Sequence, residues 1–219
     1  DQNNDIYYVK DLDSVNGTYV NGKKIFSKTR IFLSDVIFIG KYKLSLKGQA
    51  KDLREEIAIK AYNVSKTYNN GTTALKPLNI LIPAKSLVAI MGPSGCGKST
   101  LLKCLNGDLK TSSGHIYIND LELYKYYDYL KLNIGYVPQD DIIHKQLSVY
   151  QCLYFTAKIR LDNTSDDFIN KKIDKILHEL DITSIKHNSI AELSGGQRKR
   201  VSIGVELITD PLLLFLDEP

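Results

Sequence analysis

The 219-residue chain has no tryptophan, one methionine and three cysteines. Cys96, Cys104 and Cys152 are odd in number and stand at no metal-ligand spacing, which fits a reducing cytosol and does not suggest a disulfide scaffold. Long apolar runs are missing as well. The stretch 212–216 is among the longest and falls far short of the ~20 residues that a membrane-spanning helix needs. No signal-peptide pattern is present, nor any internal repeat or heptad. Neither sign of charge dominates: 29 Lys and Arg stand against 25 Asp and Glu, a net of +4 without a basic stripe. That pattern argues against nucleic acid as the main partner. An apolar fraction of 43% is enough for a buried core. The first residue is Asp1, not Met, and the natural start is expected upstream.

What is present divides into two unlike parts. Residues 1–46 read as β structure, with branched and aromatic runs at 6–9 and 36–39 and alternation around Leu44 and Leu46. Asn16-Gly17 and Asn21-Gly22 mark tight turns, because both residue types tolerate positive φ. The charged stretch 47–56 reads as a linker. From 57 to 219 strands alternate with helices, the pattern of an α/β domain with a mostly parallel sheet. Strands are predicted over 86–91, 134–137 and 212–216. Helices are predicted over 98–105, 148–159 and 168–180, with another running through 200–208.

Three motifs carry chemistry. Gly92, Pro93, Ser94, Gly95, Cys96, Gly97, Lys98, Ser99 and Thr100 spell a phosphate-binding loop between the predicted strand 86–91 and a helix. Its glycines let backbone N–H groups curl inward around phosphate oxygens. The helix start adds a positive dipole end, Lys98 neutralises the β and γ phosphates, and Ser99 is placed to ligate Mg²⁺. Leu193 and the run Ser194, Gly195, Gly196, Gln197 open a second helix with exposed donors, a second phosphate-binding surface. A serine N-cap alone would account for Ser194 but not for the whole pentapeptide. The apolar strand 212–216 ends in Asp217, Glu218 and Pro219, at the strand end where open α/β sheets bind ligands. One carboxylate there can hold Mg²⁺ through water and its neighbour can orient or deprotonate an attacking water.

Taken in order, the phosphate loop, Val137-Pro138-Gln139-Asp140, the Leu193–Gln197 pentapeptide and the acidic strand end resemble the ATP-binding cassette (ABC) family over residues 57–219. The resemblance implies an α/β P-loop NTPase with a helical subdomain, truncated after Pro219, that uses ATP and Mg²⁺. It makes Gln139 the residue that bridges metal or attacking water, Asp217 a metal residue beside Ser99, and Glu218 the general base. Tyr68 would stack on adenine, with Tyr62 as the other aromatic of that segment. It further implies a second cassette, identical or not, whose signature closes over the ATP. The runs 137–142, 197–204 and 206–211 resemble the G (white-type) subfamily, which implies a transmembrane domain after Pro219 and a place at the cytoplasmic face of a membrane. About six apolar stretches should then follow. The other readings are a soluble ABC ATPase acting on DNA or ribosomes and a regulatory ATPase responsive to phosphothreonine. The short, heptad-free span from Gln139 to Ser194 disfavours the chromosome-maintenance type.

The run 11–22 with 33–40 resembles the C-terminal half of a forkhead-associated (FHA) domain, a β-sandwich that reads phosphothreonine peptides. By that likeness Asn16 would bond the peptide backbone, while the phosphate-contacting elements would lie upstream of Asp1. Cys96 reads as a small loop residue, His144 as a surface-loop histidine and His115 as a strand residue. Tyr124, Tyr126, Tyr127 and Tyr129 read as a half-exposed loop. The isolated piece is expected to hydrolyse ATP negligibly, because the family's switch histidine and dimer-contacting loop would follow Pro219.

Overall fold

The two Asn-Gly pairs organise the first fifty residues. In a computed structural model, which describes residues 6–48, 50–53, 59–140, 142–161 and 164–218, strand β1 is Tyr7–Val9, β2 is Thr18–Val20 and β3 is Lys23–Lys24. Asn21 (φ 50) and Gly22 (φ 84) turn β2 into β3 as a tight hairpin with Val20 opposite Lys23. The Asn21 side chain also donates to Asp35 at 2.9 Å and accepts from the Val36 N–H at 3.0 Å. That staples the turn to the next strands, β4 (Thr29–Ile31), β5 (Val36–Ile39) and β6 (Tyr42–Ser45). The Asn21 amide and the Phe32 N–H hold the Asp35 carboxyl below its usual range.

The charged stretch 47–56 is not all linker. Lys51–Asp52 forms β7 against β6, and Leu53 is buried behind it. Composition misleads here because an edge strand keeps its charges in water while one leucine supplies the anchor. Residues 49 and 54–56 of that stretch, like 57 and 58 where the second domain is expected to start, lie outside the described residues. The resulting antiparallel sheet has the order β3-β2-β5-β6-β7, and β1 pairs separately with β4.

Next come β8 (Ile59–Thr67), β9 (Thr73–Ile82), helix α1 (Lys98–Leu105), β10 (Ser113–Ile118), β11 (Leu121–Glu122) and the short helix α2 (Tyr127–Leu130). These strands form an antiparallel sheet in the order β11-β10-β8-β9. The predicted strand over 86–91 does not form: the segment is unpaired among the described residues, with Leu87 99% and Met91 91% exposed. A branched apolar run states that a segment suits burial, but not which ladder receives it. The parallel pairing among the described residues is between β12 (Ile134–Val137) and β13 (Leu213–Leu216).

The chain divides into two compact units, 1–12 with 17–131, and 13–16 with 132–219. The second unit's core is helical. Helices α3 (Val149–Arg160), α4 (Asp166–Glu179) and α5 (Gly195–Leu207) bury Val149, Leu153, Ile169, Ile173, Leu177 and Val201 together. Ile169, Ile173, Ile176 and Leu177 recur at helical spacing, one apolar stripe of α4. Ser148 caps α3 and Ser165 caps α4, each accepting an N–H from the first turn. Gly204 lets α5 close in, since a Cβ there would lie 3.3 Å from Ile176 and Leu180. No helix among the described residues is long and apolar enough to cross a membrane.

The burial pattern makes a stability prediction. Ile173→Ala, at a site with no solvent exposure, is expected to cost about 2–5 kcal/mol in urea unfolding. Lys175→Ala, two positions along α4 and exposed, should stay within about 0.5 kcal/mol.

Candidate functional site

The candidate site residues fall in both compact units, and each unit builds its own set. In the first, Gly92 to Cys96 are exposed and lead into α1. Gly97 is required twice over: its φ is +96, and a Cβ would sit 2.7 Å from the Ala74 carbonyl oxygen. It occupies the N-cap of α1 without any side-chain cap, and the first turn holds no acid. The helix therefore begins with backbone donors that no local carboxylate answers, the electrostatics of an anion seat. Gly95 takes φ +77, and a Cβ there would meet nothing within 4 Å, so the loop is open at that point. Lys98 curls back over the loop, and its ammonium donates to the Gly92 and Pro93 carbonyls, each at 3.0 Å. Pro93, Ser94 and Cys96 lie on the exposed run, while Ser99 and Thr100 are half-buried in the first turn of α1. Cys104, deeper in that helix, is buried, and burial pushes its thiol up.

Tyr68 is brought to this loop. Its hydroxyl lies 3.5 Å from Thr100 Oγ1, the residue is 40% exposed, and the Lys66 ammonium stands 5.6 Å from the ring centroid. Tyr62 instead meets Tyr117 edge-on at 6.1 Å, on the sheet. Of the two aromatics, Tyr68 is the one whose hydroxyl reaches the phosphate loop.

In the second unit, strand register does the positioning. Val137 stands beside Leu216 in the parallel ladder, and the Asp217 N–H extends it to the Val137 carbonyl at 2.9 Å. Two residues beyond each partner come Gln139 and Glu218, and they meet: Gln139 Nε2 donates to Glu218 Oε2 at 2.7 Å. Asp217 is buried, 4% exposed, and accepts from the Tyr136 hydroxyl at 3.3 Å. Glu218 takes a left-handed φ of 50, a conformation a non-glycine residue adopts at a cost. Pro219 lies outside the described residues. Among the described residues no group of three or more His, Cys, Asp or Glu gathers to hold a metal. Ser99 belongs to the first unit; Gln139 and Asp217 belong to the second.

The pentapeptide opens α5. Ser194 accepts from the Gln197 N–H at 3.3 Å while the Gln197 side chain accepts from the Ser194 N–H at 2.9 Å, a reciprocal capping box. The structural explanation thus reaches further than the serine and includes Gln197. It still leaves the glycines. Helix α3 opens with the same box, Ser148 and Gln151, but places Val149 and Tyr150 between them. Gly195 and Gly196 have ordinary φ and nothing within 4 Å of a Cβ. Each weakens the helix by roughly 0.5–1 kcal/mol relative to alanine with no conformational return. Bare backbone at a helix start is what a close-approaching anion would need.

One residue escapes sequence reasoning. Lys199, on α5, donates to the Pro138 carbonyl at 2.9 Å and the Gln139 carbonyl at 3.0 Å. Within the run Arg198–Arg200 it looks like one more solvated cation. Its neighbours do other work: Arg198 donates to the Leu193 carbonyl, and Arg200 reaches the Leu180 and Asp181 carbonyls. Gly135 permits the close approach of α5 to β12, since a Cβ there would be 3.2 Å from Glu206 and 2.9 Å from Leu214.

Comparison with known proteins bears on the family to which the chain belongs. Residues 75–219 match the ABC transporter family and residues 1–40 match the FHA domain. An ABC transporter ATP-binding/permease protein of Mycobacterium tuberculosis is 34% identical over 96% of this chain and 25% of its own length. ABC transporter G family member 12 of Dictyostelium discoideum is 34% identical over 82% of this chain and 30% of its own. Among solved structures, cbiO1 of Clostridium perfringens, part of the ABC transporter complex cbiONQ, has a TM-score of 0.68. It is 35% identical, and the match covers 75% of this chain and 66% of that one. The chain spans about a quarter to a third of the curated relatives just named. Its residues 75–219 carry the ATP-binding cassette, and the chain belongs to the ABC transporter family.

Proposed function

We propose that this cassette binds and hydrolyses ATP with Mg²⁺ and so powers transport of a substrate across a membrane, in a transporter of the G-subfamily type. The observation that carries the catalytic reading is the direct bond between Gln139 and Glu218 at the end of the only kind of strand pair that aims both the same way, a parallel one. In the mechanism, Lys98 exchanges the Gly92 and Pro93 carbonyls for the β and γ phosphate oxygens. The N–H groups from Gly95 through Thr100 cradle the same charge, and Tyr68 stacks on the base. Mg²⁺, when bound, neutralises charge developing on the phosphates; Ser99, with Gln139 and Asp217 through water, would hold it. Glu218 takes the proton of the attacking water while Gln139 fixes that water's position. Ser194, Gly195, Gly196 and Gln197 face the γ-phosphate bound by a second cassette, which accounts for the unhindered glycines. The functional unit is then a cassette dimer, homo- or heteromeric, attached to a transmembrane domain at the cytoplasmic face.

A regulatory input is favoured by the FHA match over residues 1–40. Asn16, next to Gly17 (φ 76), would bond the backbone of a phosphothreonine peptide, with Thr18 steadied by its bond to Asp11 at 2.9 Å.

Two outcomes check these roles in the full-length protein. Lys98→Ala should weaken ATP affinity by about tenfold or more, a loss of roughly 1.4 kcal/mol. Glu218→Gln should retain binding and lose about 10²–10⁴-fold in turnover. Unchanged affinity in the first or unchanged turnover in the second would remove the proposal.

Lys199 supports the Gln139 backbone from the signature helix. Lys199→Ala is expected to lower kcat by about tenfold, since bonds to charged groups contribute roughly 1.5–3 kcal/mol. Lys199→Arg should recover most of that loss. The split is read in steady-state kinetics beside the thermal midpoint, which the lost carbonyl bonds should lower by a few degrees in Lys199→Ala and which Lys199→Arg should restore.

A further inference from the structure

Lys66 stands near the end of β8, half-buried, and among the described residues no carboxylate pairs with it. Its ammonium has two partners of another kind. It donates to the Lys110 carbonyl at 2.7 Å, and it stands over the Tyr68 ring, 5.6 Å from the centroid. The acceptor is held on both sides by Tyr124. The Thr111 N–H donates to the Tyr124 hydroxyl at 3.0 Å, and that hydroxyl donates to the Leu109 carbonyl at 3.4 Å. Ser112 then ties the same segment to β8. Its N–H donates to the Ser65 carbonyl at 2.8 Å, while its hydroxyl accepts from the Thr67 N–H at 3.0 Å and donates to the Thr67 carbonyl at 3.1 Å. The join between β8 and residues 109–112 is thus made by neutral groups, and an ammonium buried without an acid is a costly addition to it.

The ring is where that charge has an effect. Tyr68 opens the turn between β8 and β9, and its backbone is fixed there: its N–H donates to the Thr72 carbonyl and its carbonyl accepts from the Gly71 N–H, each at 2.9 Å. The side chain is held less firmly. Its hydroxyl lies 3.5 Å from Thr100 Oγ1, beyond the usual range of about 2.5–3.0 Å for two oxygens. So long a contact does not set the plane of the ring. A cation over one face does, because the negative face of the π system draws it along the ring normal. With Lys66 on one face, a stacking partner has the other. All of these residues belong to the first compact unit.

We propose that Lys66 is a positioning residue for the nucleotide base: from its seat on the Lys110 carbonyl, its ammonium holds the Tyr68 ring so that the opposite face receives adenine. A ring fixed before the ligand arrives loses less freedom on binding, and the gain appears as affinity. Lys66 touches neither base nor phosphate in this role. The proposal deepens the function given above and rests on its reading of Tyr68 as the residue that stacks on the base.

The experiment measures equilibrium binding to the full-length protein without Mg²⁺, so that no turnover occurs. The two probes are ATP and inorganic tripolyphosphate, which offers phosphates without a base. Lys66→Met keeps the length of the side chain and removes the charge; it should weaken ATP by about three- to fivefold. Tripolyphosphate should stay within about twofold, which also shows that the variant is folded, and Lys66→Arg should stay within about twofold of wild type for both probes. Tyr68→Ala should weaken ATP by about fivefold or more. Adding Lys66→Met to it should cost less than about twofold further, because the effect of the charge passes through the ring. Equal losses for ATP and tripolyphosphate would make Lys66 a phosphate contact or a structural tie and overturn the proposal. Additive losses in the double variant would do the same. Weakened ATP binding in Tyr68→Ala beside unchanged binding in Lys66→Met removes the proposal alone, whereas unchanged binding in Tyr68→Ala removes the stacking reading and the proposal with it.

Discussion

The parallel ladder between Ile134–Val137 and Leu213–Leu216 is the constraint on which the meeting of Gln139 and Glu218 depends. Parallel strands send their carboxyl ends to one edge, so whatever follows Val137 must emerge beside whatever follows Leu216. Gln139 and Glu218 are separated by 79 positions in sequence and by 2.7 Å in space for that reason alone. An antiparallel pairing of the same strands would have put them at opposite ends. Register matters equally: a slip of one residue would turn Phe215, now buried, to the opposite face and carry Glu218 away from its partner.

The glycines separate conformational need from access. Gly97 answers to its own backbone, since both its φ and the Ala74 carbonyl forbid a side chain. A Cβ at Gly195 or Gly196 would meet nothing within 4 Å among the described residues. Helix α3 shows that the same capping box works with valine and tyrosine in those positions. Their cost to α5 makes sense only through something that approaches from outside, and a helix start offers donors to an anion.

Much of this is legible in the sequence because it is local. Helix α1 spans Lys98–Leu105, as its phosphate loop and apolar spacing predict, and β12 spans Ile134–Val137. Helix α4 starts two residues before the predicted 168, because Asp166 and Asp167 belong to its first turn behind the Ser165 cap. The hairpin at Asn21-Gly22 follows from residue type alone. What is not legible depends on distant partners. The run 86–91 has the composition of a central strand but takes no place in a described sheet. Leu53 hides a strand inside a charged stretch. Tyr129 differs in no local respect from Tyr124 or Tyr127, and only the arrival of Phe38 makes it core. Lys199 sits among like charges, and its role comes from the fold that brings Pro138 and Gln139 to it.

Lys98 and Lys199 apply one piece of chemistry to opposite ends. Each ammonium is held by two backbone carbonyls from residues adjacent in sequence. Lys98 takes its pair from its own loop, whose Gly92–Cys96 run is exposed. Water can replace those carbonyls while the side chain turns, so exchange for phosphate oxygens carries a small desolvation cost and gains a stronger, charge-assisted bond. Lys199 takes its pair from a different element, and its bond to the Pro138 carbonyl is partly buried. Leaving that site would strand a carbonyl behind α5, which costs more than the exposed case. Ligand exchange therefore favours motion of Lys98 and immobility of Lys199. The first lysine can follow a nucleotide, while the second keeps the Gln139 backbone where the register of β12 has placed it.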